Sequence, residues 1–405
     1  MRMLLVSSIY PPTIGGPAPH TQQIAREWAR KGFAVDVLVP QQAQPVAPEH
    51  EFALTVMPDQ ARSGLIGKVQ RWMGYALTLR RLIRQKRPEF CVMMVFGGPL
   101  AFVTGLLCRL HGVPAMVKLT GEKSFESASE REALSGGAGK RDSQCRPGLQ
   151  DVLLTRLFRA VWATSPHFAE RLERAYGLAR HRIFYQPNFI DCARFEAVRH
   201  DRPPKSDGSF SLLSVCRLRS WKGIETCLRA AAQLEDIPFR WSFVGSGPEV
   251  YVVSLKRLVQ ELGLEDRISF HGEVPPNQIH EHYRQADLFV LLSDYEPFGI
   301  VLLEAMAAGV PIVASRTGGI PSVTDGDSAA RLVDPGNAIM AAQAMRSLLH
   351  DSEKRAAQVQ RGLGRLKEFS VDTGCLRLAE FGRTLAQAPA SRHETLPAET
   401  SNVGV

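Results

Sequence analysis

The stretch LFVLLSDYEPFGIVLLEAMAAGVPIVAS, Leu288–Ser315, decides the fold. It reads as an apolar strand, a loop carrying Pro297 and Gly299, a helix beginning near Ile300 and a second apolar strand. Parallel strands need a crossover between them and are covered on both faces, so strand, helix and strand in this order, with apolar strands, is the unit of a parallel sheet. One residue breaks the pattern. On the helix, the neighbours of Glu304 along its own face are Ile300, Val301, Ala307 and Ala308, all apolar. A helix apolar on every side is buried, and an unpaired carboxylate there is costly. Glu304 therefore pairs with an arginine distant in sequence, reaches water at a domain edge, or has a ligand as its partner.

Working outward, the same alternation fills the chain. SFSLLSVCRL, FRWSFVGSG, RISFHGEV, VPIVASRT and AARLVDP are further strands around it, separated by helical runs such as GIETCLRAAAQLED and GPEVYVVSLKRLVQELG. In the first half, MRMLLVSS, FAVDVLVP, FCVMMVFG, PAMVKLTG and AVWATSP are strands, with PHTQQIAREWARK a helix stopped at Gly32. Two Rossmann-like, doubly wound α/β domains follow, and ligands of such sheets sit at the carboxyl ends of the strands. RHDRPPKSDGSF, charged and without periodicity, is the linker, which gives domains at 1–200 and 208–370. The segment SVDTGCLRLAEFGRTL is a C-terminal helix at about 371–386 that crosses back to the first domain, and 387–405 reads as a disordered tail.

At 405 residues the chain has room for two full cores. Its seven cysteines are scattered without a C-x-x-C pair, which fits reduced thiols and a cytoplasmic location. The apolar run of MRMLLVSSIYPP is too short, and too soon broken by proline, for a signal peptide. The greasiest window, PLAFVTGLLCRLHGVPAMVKL, is broken by Arg109, His111 and Pro114 and reads as a buried helix and strand. The net charge of +8 is concentrated: from Arg62 to Arg87 there are eight cations and no acid, interleaved with Leu65, Ile66, Trp72, Tyr75, Leu79, Leu82 and Ile83. Such a segment fits either a core-facing helix with a solvated basic face or peripheral contact with an anionic membrane at its inner, cytoplasmic face. No recognition motif accompanies the charge, so nucleic acid is not an expected partner.

Three glycine-bearing turns lie where phosphates are usually held. Gly15 and Gly16 follow the first strand. Gly245 and Gly247 form G-x-G in FVGSGPEV, with no third glycine and no ribose-reading acid, which argues against a nicotinamide or flavin site. The third turn is Pro297–Gly299, ahead of a helix N-terminus with unpaired N–H groups and partial positive charge. Arg217 and Lys222, in SVCRLRSWKGIET, stand on the same edge of the second sheet, where two cations can neutralise a diphosphate.

Taken together, R-x-x-x-x-K-G, VGSGPE, F-x-G-x-V and E-P-F-G-I-V-L-L-E-A-M-A-A-G-V-P-I-V-A-S-x-x-G-G resemble the retaining GT-B glycosyltransferases of family 4, with the E-x7-E signature intact. The resemblance also takes in ATSPHFAERL and YQPNFID and covers nearly the whole chain to about residue 385. It implies two Rossmann-like domains facing each other across a cleft. It also implies transfer of a hexosyl-type sugar from a nucleotide-diphospho-sugar, the co-substrate, to a saccharide or lipid-linked saccharide. Catalytic roles fall on Glu296, beside the donor hexose, and on Arg217 and Lys222, at the departing diphosphate. Glu304 would accept the ribose hydroxyls, and Phe298, Gly299 and Ile300 would offer backbone N–H groups. Gly245 and Gly247 also fall on the donor side, and Gly16, next to Gly15, would approach the diphosphate from the other domain. Many members carry a His-Asp pair where this chain has Gly121 and Glu122, with Lys118 close by, so these three are acceptor-side candidates.

No cofactor or metal is expected, because fixed cations and helix dipoles can meet the charge forming on the leaving phosphate. Asp325 and Asp327 imitate a D-x-D metal motif but read as a turn, and His280 and His282 face different directions on their helix. Two alternatives share the architecture: a sugar-nucleotide-binding protein without transferase activity, and a nucleotide-sugar epimerase. The stretch from Glu126, ESASEREALSGGAGKRDSQ, reads as a mobile lid on the acceptor side.

Overall fold

The computed structural model describes residues 1–11, 17–39, 52–57, 64–94, 98–119, 147–201 and 208–388. Gly15, Gly16, Gly121, Glu122, the segment from Glu126 and the tail after 388 lie outside the described residues. The described residues divide into two compact units, the first taking in those up to 119, 147–187 and 371–388 and the second those from 188 to 370.

In the first unit, strands β1 (Arg2–Val6), β2 (Ala34–Val39), β3 (Ala53–Val56), β4 (Phe90–Met93), β5 (Ala115–Lys118), β6 (Ala160–Ala163) and β7 (Ile183–Tyr185) form one parallel sheet in the order β3-β2-β1-β4-β5-β6-β7. Strands β4, β5 and β6 are buried along their whole length, and β1 is buried at all but Arg2, as the near-continuous apolar runs require. Helices α1 (Pro17–Arg30), α2 (Gly64–Lys86), α3 (Gly98–Leu110), α4 (Leu149–Thr155) and α5 (Pro166–Tyr176) connect them. Ser165 caps α5 by accepting from the Phe168 N–H, Pro166 opens the helix and Gly177 closes it in the left-handed region. Among the described residues, no helix is long and apolar enough to cross a membrane.

The second unit opens with α6 (Ala193–Arg199) and continues through β8 (Phe210–Val215), α7 (Ile224–Ala231), β9 (Phe239–Val244), α8 (Glu249–Glu261), β10 (Ile268–Gly272), α9 (Ile279–Gln285) and β11 (Leu288–Leu291). Then come α10 (Ile300–Ala307), β12 (Ile312–Ser315), α11 (Ile320–Thr324), β13 (Arg331–Val333), α12 (Ala338–His350) and α13 (Ser352–Arg365). The parallel sheet runs β10-β9-β8-β11-β12-β13, and the opening stretch is its β11-α10-β12 unit. Both units are thus α/β and doubly wound.

Helix α14 (Val371–Gln387) belongs to the first unit, where the Trp28 indole donates to the Cys375 carbonyl at 2.9 Å and Gly382 lies against the Phe90 ring. Two details differ from the sequence expectation. Strands β3 and β7 were not expected: β3 is a half-exposed edge strand with Thr55 in it, and β7 has only three residues, so neither leaves an apolar run. The division between units falls at Pro187/Asn188, ahead of the expected linker, because α6 packs on α9 and α10 through Phe195, which meets Tyr283 edge to face.

Candidate functional site

The candidate site forms at the carboxyl ends of β8, β9, β11 and β12, where four loops mesh backbone against backbone. Leu218 N–H donates to the Ser246 carbonyl at 2.8 Å and Gly245 N–H to the Gly272 carbonyl at 2.8 Å. A Cβ at Gly245 would stand 1.9 Å from the Cys216 carbonyl oxygen, and one at Gly247 2.0 Å from that of Leu218, so the loops can lie side by side only with glycine at both places. On the other flank, Asp294 N–H donates to the Trp221 carbonyl at 2.9 Å, and Gly319 N–H to the Glu296 carbonyl at 2.8 Å. Gly318, at φ +54°, has room for no side chain, since a Cβ would come within 2.1 Å of the Glu296 oxygen.

This mesh brings three predicted residues to one place. Lys222, at the end of a short turn after β8, donates from Nζ to Glu296 Oε2 at 2.6 Å, with side chains 10% and 13% exposed. The Arg217 guanidinium lies 6.0 Å from the Trp221 ring, in the same loop. Beside Glu296, Gly299 takes φ +87° and starts α10 without a side-chain cap. Phe298 is buried edge-on against Phe369 at 5.9 Å, so only its backbone faces the loop chemistry.

Glu304 sits one turn into α10. It is partly exposed, yet burial raises its carboxyl above the usual carboxylate range; the Tyr283 hydroxyl, which donates to Oε2 at 2.9 Å, and the charge of Arg194 pull the other way. Tyr283 is fully buried, stacked on Phe289 at 5.6 Å. Sequence reasoning missed it, because Ile279 and Tyr283 four apart on α9 read simply as packing; the available signal was that a buried tyrosine hydroxyl needs a partner. Asp294 was missed as well: burial, with Glu225 nearby, raises its carboxyl to about 6.

Lys118, one of the acceptor-side candidates, is enclosed in the first unit. At the end of β5 it is 1% exposed, with Nζ 2.6 Å from His20 Nδ1 and 4.3 Å from the centre of the Trp162 ring. Burial pushes its ammonium well below the usual lysine range, and burial together with Lys118 pushes His20 down too. The D-x-D look-alike is a turn: Asp325 closes α11 in the left-handed region, and Asp327 pairs with Arg316 at 2.5 Å and accepts from Leu332 N–H. His282 turns toward His271 of β10, the rings 5.3 Å apart.

The family model described as Glycosyl transferases group 1 matches residues 197–365, and the Glycosyl transferase 4-like domain matches 15–188. A D-inositol 3-phosphate glycosyltransferase of Corynebacterium urealyticum is 32% identical over 200 residues, 46% of this chain and 46% of that protein. The chain spans about half the length of the curated relatives it matches first. Among solved structures, sucrose-phosphate synthase from Thermosynechococcus elongatus superposes with a TM-score of 0.77 at 20% identity, over 95% of this chain and 98% of that one. Anabaena Alr3699/HepE in complex with UDP-glucose gives 0.72 at 20% identity, over 94% and 99%. The fold is therefore GT-B. The two family matches together take in most of the chain, which belongs to the group 1, family 4 glycosyltransferases.

Proposed function

We propose that this protein is a retaining, metal-independent hexosyltransferase that uses a nucleotide-diphospho-sugar and delivers the sugar to a saccharide or lipid-linked saccharide on the cytoplasmic side of a membrane. The observation that carries the reading is the Lys222–Glu296 contact, held at the strand edge beside Arg217 and the N-terminus of α10. A diphosphate entering there offers Lys222 a stronger anionic partner and frees the Glu296 carboxylate to turn toward the hexose. Arg217, Lys222 and the α10 N–H groups then meet the charge that grows on the leaving phosphate. That fixed supply of positive charge supports chemistry without a metal.

In this mechanism the bond between the anomeric carbon and the phosphate oxygen breaks, its electron pair staying on the diphosphate. The acceptor hydroxyl bonds to the same face of that carbon and gives its proton to a phosphate oxygen. The nucleoside diphosphate and a glycoside of unchanged anomeric configuration are the products. Glu304 accepts the ribose hydroxyls, with the Tyr283 hydroxyl steadying its other oxygen. The UDP-glucose bound by Alr3699/HepE makes UDP-sugars the first donors to test.

A thermal-shift panel of UDP-, GDP- and ADP-sugars identifies the donor, since a ligand of the folded state raises its stability. With that donor, Lys222→Ala is expected to cut turnover at least roughly a hundredfold while free nucleotide binds nearly as before. Undiminished turnover overturns the role of Lys222. Binding of donors with no transfer to any acceptor favours a binding protein, and conversion of donor alone favours an epimerase.

A further inference from the structure

In the first unit, one side of the sheet presents an apolar surface that nothing in the described chain covers. Of the thirteen exposed large apolar side chains among the described residues, eight lie on α2, α3 and α4. On α2 they are Val69, Met73 and Leu77, 49%, 59% and 62% exposed and spaced four apart. On α3, Phe102, Leu106 and Leu110 repeat that spacing, and on α4 so do Leu149 and Leu153. Each helix buries its opposite side in the same core: Leu79, Leu82 and Ile83 from α2, Cys108 from α3 and Leu154 from α4.

The three helices form one layer. All three serve crossovers that step the same way along the sheet, from β3 through β4 and β5 to β6, so right-handed connection puts them on one face. Tyr75 of α2 hydrogen-bonds Thr104 of α3. At Gly105 of α3 a Cβ would come within 2.8 Å of Leu157, just past α4. The exposed stripes therefore lie side by side.

Charge says what covers them. At 3.6 residues per turn, Arg81 continues the Val69–Met73–Leu77 row, and Arg80 and Arg84 fall beside it, all three exposed. Arg109 and Arg156 are exposed at the ends of α3 and α4, and together with burial they depress the guanidinium of Arg182. Across α2, α3 and α4 the sequence holds a single acid, Asp151. Exposed leucine, methionine and phenylalanine rimmed by arginines suit a surface that is greasy beneath a negative layer.

We propose that the α2–α3–α4 layer is a docking face for an anionic phospholipid surface, with Met73, Leu77, Phe102 and Leu106 entering the acyl boundary and Arg80, Arg81 and Arg84 meeting headgroup phosphates. The proposal deepens the reading of a lipid-linked acceptor and rests on it only for its purpose, because the face lies on helices that hold none of the donor residues named above.

The test is co-sedimentation of the full chain with vesicles of phosphatidylcholine alone or mixed with phosphatidylglycerol. The protein is expected to pellet with the mixed vesicles and far less with the neutral ones, and added salt should release it. Met73→Glu with Leu77→Glu, and separately Arg80→Glu with Arg84→Glu, should each weaken binding roughly tenfold or more. Equal thermal stability and an equal thermal shift with the donor nucleotide show that the variants remain folded. Failure of the wild type to pellet, undiminished pelleting of both variants, or a lipid-free dimer that Met73→Glu with Leu77→Glu dissolves overturns the proposal. Vesicle binding without sugar transfer leaves the docking face standing and removes the proposed function.

Discussion

Tyr283→Phe tests the donor pocket through one atom. The ring is fully buried between Phe195 and Phe289, and phenylalanine keeps that packing, so the change removes only the hydroxyl. That hydroxyl donates to Glu304 at 2.9 Å, a hydrogen bond to an ionised group worth about 1.5–3 kcal/mol. Because that bond favours the ionised form, its loss moves the Glu304 midpoint further up. Glu304 already titrates above the usual carboxylate range because of burial. If ribose hydroxyls must donate to an ionised Glu304, donor affinity falls as pH drops through its midpoint, and the variant should begin losing affinity at a correspondingly higher pH. The assay is calorimetric titration with the preferred nucleotide across neutral and acid pH. Arg194→Gln should shift the profile the same way but less, since that charge acts without an ion pair to Glu304 among the described contacts. Superimposable profiles for wild type and Tyr283→Phe would refute the assignment of Glu304 to the donor.

Asp294 carries a different pH signature. Its carboxyl is raised to about 6 in the folded protein by burial and by Glu225, so folding favours the protonated form and stability is lost as pH rises from the unfolded value through about 6. Asp294→Asn should therefore be more stable by up to about 3 kcal/mol at pH 7, with the advantage gone below about pH 4, as read by urea unfolding at both pH values. Gly318→Ala forces a Cβ toward the Glu296 oxygen and should both destabilise the chain and abolish transfer. Gly326→Ala, at a similar positive φ with open space around it, should cost only about 1–2 kcal/mol and leave activity intact. Equal effects of the two glycine changes would mean that the close approach at Glu296 is not what places its carboxylate.

Much of this was legible in the sequence, for reasons that also explain what was not. Strands β11 and β12 of the second unit are apolar runs buried on both faces, and such runs announce themselves. Strand β3 alternates at a sheet edge with half its surface exposed, and β7 is three residues long, so neither carries a signal above that of a loop. Glu304 was visible because a charge in an apolar helix has no local excuse, whereas Tyr283 was hidden because a tyrosine there has one. Lys222 and Glu296 are 74 residues apart in sequence, and only the parallel pairing of β8 with β11 makes them neighbours. The burial of Lys118 was hidden for the complementary reason: at the last position of a strand covered on both faces, even a lysine is enclosed.

The glycines show how far a motif can be read without a structure. G-x-G after β9 was taken for a phosphate turn, and the same two residues turn out to be required by the Cys216 and Leu218 carbonyls before any ligand arrives. The two demands are compatible, and the packing one ties together by main-chain contacts the loops that carry Arg217, Lys222 and Glu296. The same reasoning bears on Glu304. A carboxylate offers about four acceptor positions, and Tyr283 takes one of them. Arg194 lowers the cost of the charge from a distance, so the protein tolerates this carboxylate without neutralising it by an ion pair. A purely structural glutamate in that helix would do better fully paired. A partly exposed one, steadied on a single oxygen, is what two vicinal hydroxyls need.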